Sequence, residues 1–161
     1  MNLQKILCGI SFALLSSLSV VADEGRAGVE ALPSELRALI KSEMNSLDKG
    51  FKSLFTAYYS GDTQEVVAIA KEIQASFVLK QALSQAQKKT LHAVLPADFL
   101  HKDKEFHYFA GMLAHTAEMG KDELVGFYFS KLADACTQCH AKHATHRFNF
   151  SQNTKVKDHH H

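Results

Sequence analysis

Tryptophan is absent from the chain, proline occurs twice and glycine eight times. So few breakers disfavour a loop-rich or strand-and-turn fold and favour long uninterrupted helices. No excess of one charge exists either: 18 Lys and Arg face 17 Asp and Glu. A nucleic-acid partner or an anionic membrane surface is therefore not expected. Acidic residues are spread as helix caps and solvated faces, with no catalytic constellation, so the chain is not expected to be an enzyme. Long hydrophobic runs are lacking too. The one apolar stretch, Ile6 to Val21, is short and broken by Ser11, Ser16, Ser17 and Ser19, too weak a pattern for a membrane anchor.

That stretch has another reading. Lys5 precedes it and the small residues Val20-Val21-Ala22 follow it, the pattern of a secretory signal peptide. Residues 1–22 are expected to be removed near Ala22, delivering the rest to the periplasm with no membrane insertion. Cys8 lies inside the apolar region without small residues before it, so lipidation is not expected. Cleavage leaves two cysteines, Cys136 and Cys139, and takes the 18 basic residues to 17 against 17 acidic ones.

The full chain of 161 residues is 46% hydrophobic, and the part after the signal peptide suits one domain across residues 23–148 and is too short for two. Four amphipathic segments predict an all-α antiparallel four-helix bundle. The first runs from Ser34 to Tyr59, where Leu36, Ile40, Met44, Leu47, Phe51, Leu54 and Tyr58 recur at steps of four and three. The second opens on Asp62-Thr63-Gln64-Glu65, read as a capping box, with Val66, Ile69, Ile73 and Phe77 inward. The polar stretch from Lys80 to Thr90 either prolongs it or begins a connection. The third is expected from Asp103, with Phe106, Phe109 or Ala110, Leu113 and Ala117 inward and Gly120 as breaker. The fourth starts at Lys121-Asp122-Glu123 and continues through Leu124, Phe127, Phe129, Leu132 and Ala135. Residues 149–161 read as a polar, disordered tail, and His159 to His161, a native end or a tag remnant, are set aside.

The chemistry is concentrated in Cys136-Thr137-Gln138-Cys139-His140. On a helix, positions i, i+3 and i+4 project from one face. Two thiols can thus reach the two vinyl groups of one porphyrin edge, and the following imidazole can reach the iron. Cys136 and Cys139 are the expected haem thioethers and His140 the proximal iron ligand of one covalently bound haem c. Two other readings use the same residues. A redox C-x-x-C pair normally opens a helix after a strand, whereas this one closes a helical pattern. A tetrahedral zinc could take Cys136, Cys139, His143 and His146, but a continuous helix spreads those donors around and along its axis.

With the motif late in an all-helical chain, the sequence resembles the class II cytochromes c, cytochrome c′ and its low-spin relatives. The likeness spans roughly Leu32 to Arg147. It implies a four-helix bundle with haem attached near the C-terminus. Cytochrome c′ has an aromatic and then a basic residue three and four positions after the haem histidine; here those are His143 and Ala144, with Arg147 a turn later. The segment from Lys80 to Lys102 has no counterpart in that pattern.

In the low-spin relatives a methionine of the first helix fills the sixth position on iron. Met44, on the inward stripe and 16 residues before Ser60, matches it, although a methionine on an apolar stripe also serves as core filler. His107 and His115 share a stripe of the third helix and offer a bis-histidine alternative. His92 and His101, flanking Pro96, either reach the haem edge or face solvent; His143 and His146 are expected at the surface or beside the propionates. A His/Met haem has no open site, which implies an electron carrier serving redox partner proteins. The alternative is a five-coordinate haem protein binding NO or CO. The resemblance also allows a homodimer.

Overall fold

The computed structural model describes residues 28–76, 83–145, 147 and 148. The expected signal peptide, Phe77 at the end of the second stripe, His146 and the polar tail lie outside them. Within the described residues the chain is all-α, with no strand and with five α helices where four were expected. A 3₁₀ turn, Val29–Ala31, precedes α1 at Ser34–Ser60. Pro33 stands at the N-cap, where its missing amide is harmless and its fixed φ suits the entry. Gly61 closes α1 in the left-handed region at φ 74°, donating to the carbonyls of Ala57 and Tyr58. Asp62 then caps α2, Thr63–Ala75, by accepting the Glu65 amide at 3.0 Å, so two linking residues fold α2 back on α1.

The additional helix, α3 at Gln85–Val94, lies in the stretch the periodicity could not place. Ser84 and Gln87 form a complete capping box there, each side chain bonding the other's amide at 3.2 and 2.9 Å. After Leu95 and Pro96, α4 runs Ala97–Glu118. It begins six residues earlier than the expected Asp103, because Pro96 at the N-cap starts a helix as well as it ends one. Gly120 at φ 63° makes the next turn, and α5 spans Asp122–His143 with Asp122 and Glu123 at the positive end of its dipole.

The close helix packings are α1 on α2, α2 on α4 and α4 on α5. The main core joins Leu54 and Ala57 of α1, Val66, Ile69, Ala70 and Ile73 of α2, Phe106, Ala110, Leu113, Ala114 and Ala117 of α4, and Leu132 of α5. The alanines of α2 and α4 let those helices approach closely; a Cβ on Gly111 would run into the Gln74 side chain. A second cluster joins Leu32, Leu36 and Ile40 to Leu91 and Leu95, so α3 and its exit cover the N-terminal half of α1. The inward residues expected on the third helix are buried, Phe109 partly. On α5, Leu124 and Phe127 are 47% and 50% exposed. Leu132 of α5 lies in the main core. No helix of the described residues is long and apolar enough to cross a membrane.

Candidate functional site

Cys136, Cys139 and His140 all fall in the last two turns of α5, and all three are half-buried. Helix ends fray, yet this one is latched. Asp98, in the first turn of α4, receives the Lys142 ammonium at 3.0 Å and His143 Nε2 at 3.1 Å. Phe99 meets the His143 ring edge-on at 5.4 Å. The Lys142 hydrogen bond leads in holding the Asp98 carboxyl below its ordinary range. His143 is thereby engaged with α4 and not with the cysteines, as a half-buried latch residue.

Both thiols are free. Cys136 packs against the main core, and burial pushes its pKa up to about 11. Cys139 is likewise pushed up to about 11, by burial first and then by the negative charge of Asp103. Redox-active C-x-x-C thiols are depressed, not raised, so the pair lacks the poise of a disulfide catalyst. Among the described residues no three His, Cys, Asp or Glu side chains converge as a metal-ligand group. The four-donor zinc set includes His146, which lies outside them.

His140 is flanked by the turn that follows α5. Arg147 and Phe148 both donate their amides to the Ala144 carbonyl, bringing the chain back over the helix end. The Phe148 ring lies flat on the imidazole, centroids 4.1 Å apart and planes within 4°. Burial, and after it the Arg147 charge, lowers the pKa of His140, which favours the neutral, lone-pair-bearing imidazole that a metal requires. An aromatic ring and a basic charge, from Phe148 and Arg147, thus stand beside His140.

Opposite α5 stands α1. A Cβ on Gly126 would come within 3.0 Å of the Tyr58 hydroxyl. Tyr58 and Phe51 stack on Phe129 at 4.5 and 5.5 Å. The earlier α1 residue thus meets the later α5 residue, so the two helices run antiparallel. Met44 lies 14 residues before Tyr58 and His140 lies 14 after Gly126, about 21 Å along each axis at 1.5 Å per residue. Met44 is therefore level with the cysteine–histidine turn. It is half-buried and lines a narrow cleft with Ile40, Glu43, Leu91, Phe99 and Asp103.

One residue of this region, Glu43, went unread in the sequence. Glu43 is buried on α1; it follows Ile40 by three and precedes Leu47 by four, an inward position held by a charge. His107, offered by the sequence as a bis-histidine alternative, is 3% exposed, with Nε2 lying 3.6 Å from Glu43 and 3.7 Å from Asp103. His92, His101 and His115 are exposed and belong to no such cluster. No family model, curated protein or solved structure matches the chain.

Proposed function

We propose that this chain is an exported, single-haem c-type cytochrome of the class II kind that carries electrons. In this reading Cys136 and Cys139 hold a haem c through thioethers, His140 is the proximal iron ligand, and Met44 is the sixth. Helices α1, α2, α4 and α5 are then the four members of an antiparallel bundle, and α3 is an addition between the second and third. The observation that carries the reading is the shared level of Met44 on α1 and the C-x-x-C-H turn on α5.

The donor set suits the group. Two free thiols and a neutral imidazole leave one helix face together, and a thioether lies at their level on α1, in the cleft with Phe99 and Asp103. Bound there, haem c supplies a one-electron iron couple. The chain's own residues do the rest. Cys136 and Cys139 anchor the group to a helix end that Asp98 keeps from fraying. His140 offers its lone pair, and Phe148 against its face restricts ring rotation. Met44 would hold the iron from α1, and with both His140 and Met44 bound the role would be electron transfer between redox partner proteins. The signal-peptide pattern supports periplasmic delivery, with Asp23 near the mature N-terminus; intact mass after secretion tests that.

Optical spectra of protein made with a haem-maturation system decide the central claim. Sharp alpha and beta bands on reduction are expected, together with a weak band at the red edge of the oxidised spectrum that Met44→Ala abolishes. A broad high-spin spectrum in the parent would replace the carrier with an NO- or CO-binding protein. Cys136→Ala and Cys139→Ala should each lower the covalent haem yield measured as the pyridine haemochrome. A correctly matured protein with the mass of bare polypeptide would overturn the reading entirely.

A further inference from the structure

Glu43 and His107 are buried, each with a side chain 4% exposed. Groups of this kind are costly to enclose unless other polar groups meet them, and their arrangement is specific. His107 Nδ1 lies 2.8 Å from the carbonyl oxygen of Ile73. A carbonyl can only accept, so Nδ1 carries a hydrogen and donates it. That aims Nε2 the other way, at Glu43 Oε1 on α1 at 3.6 Å and at Asp103 Oδ1, one turn earlier on α4, at 3.7 Å. Phe106 closes the flank of the ring edge-on at 5.3 Å. One imidazole on α4 thus bonds a main-chain oxygen at the end of α2 and, when its ring is protonated, forms an ion pair with a buried carboxylate of α1.

The next residue of α1 is Met44. Glu43, Met44 and Asp103 line the same cleft. Successive side chains of an α-helix leave it about 100° apart. Anchoring the Glu43 carboxylate therefore sets the rotation of α1 about its axis and its height against α4, and with both the direction in which Met44 emerges. Apolar contact alone defines that direction poorly. Methionine is unbranched and adapts to many cavities, and this half of α1 rests on the short helix α3.

We infer that Glu43 and His107 are positioning residues for Met44, fixing its orientation as an iron ligand through the contact between α1 and α4. The inference rests on the His/Met reading given above.

The test uses the mature holoprotein and two readouts: the red-edge band of the oxidised form, and the affinity for added imidazole, which competes with Met44 for iron. His107→Gln sets an amide nitrogen where Nε2 stands and keeps the reach to Glu43. His107→Asn sets one where Nδ1 stands and keeps only the bond to Ile73. Glu43→Leu fills the carboxylate's space without its contact. His107→Asn and Glu43→Leu are expected to weaken the band and to bind imidazole about tenfold more tightly, the ratio that one buried contact to a charged group is worth. His107→Gln should stay within about threefold of the parent, well under one such contact. Parental imidazole affinity in Glu43→Leu overturns the inference, also where His107→Asn yields no folded protein. So does His107→Gln matching His107→Asn, since the bond to Ile73 or the ring's bulk would then be what matters. A parent protein without the red-edge band defeats the assignment of Met44 itself, and this inference with it. If the band is present and only the variants behave like the parent, the ligand assignment stands and the positioning role alone falls.

Discussion

Burial pushes Asp103 up to about 7, from an ordinary value of 3.8. The unfolded chain gives up this proton near 3.8, whereas the folded chain keeps it to about 7. Between those values the native state binds more protons than the unfolded one, so stability falls as pH rises through the window and levels off above it. A displacement of about three units corresponds to at most about 4 kcal/mol, and relaxation around the carboxylate should leave about 1–2 kcal/mol of it. Asp103→Asn imitates the protonated acid. Thermal melts should find it equal to the parent at pH 4 and more stable at pH 8; equal melts at both would refute the burial argument. Neither Asp103 nor its neighbours could be assigned this behaviour beforehand. Cys136, Cys139 and His140 are readable because their relation is fixed by helical spacing along one segment. Glu43, Asp103 and His107 come together across two helices, and a charge at an inward position of a stripe signals only that something must meet it.

Helix α3 went unread as a helix for a physical reason. Of its ten residues only Leu91 is buried, so the period that reveals an amphipathic helix is nearly missing. Its start was nevertheless written in the sequence, since Ser84 and Gln87 stand at the capping-box spacing. Ser84→Ala removes the bond that satisfies the Gln87 amide and should cost about 1 kcal/mol. Because α3 contributes little to the main core, the loss should show as faster amide exchange within residues 85–94, with a small change in the global melting temperature. A large drop in the global transition would mean that α3 is coupled to the rest more tightly than its contacts imply. The starts of α2 and α5 were legible from Asp62 and from Asp122 and Glu123. The start of α4 was not, because proline serves equally before a helix and after one.

The two apolar clusters predict unequal resistance to opening. The main core spans α1, α2, α4 and α5, while the cluster around Leu36, Ile40, Leu91 and Leu95 involves one long helix, one short one and the link to α4. Native-state hydrogen exchange should therefore find the amides near Leu113 opening only with global unfolding, and those near Leu91 opening at lower free energy. Leu113→Ala, at a fully buried position, should cost about 2–5 kcal/mol in urea denaturation; Leu91→Ala should mainly loosen α3. Equal protection in both regions would argue for a single cooperative unit. The all-α class, the limits of α1 and the spacing of Cys136, Cys139 and His140 follow from order along the chain, because periodicity, caps and a five-residue motif act locally. The latch of Asp98 on Lys142 and His143, the Phe148 ring on His140, the antiparallel level of Met44 with the cysteine turn, and the meeting of Glu43 with His107 depend on how the helices pack. The contacts among these join residues between 8 and 64 positions apart in sequence, and nothing local encodes which faces will meet.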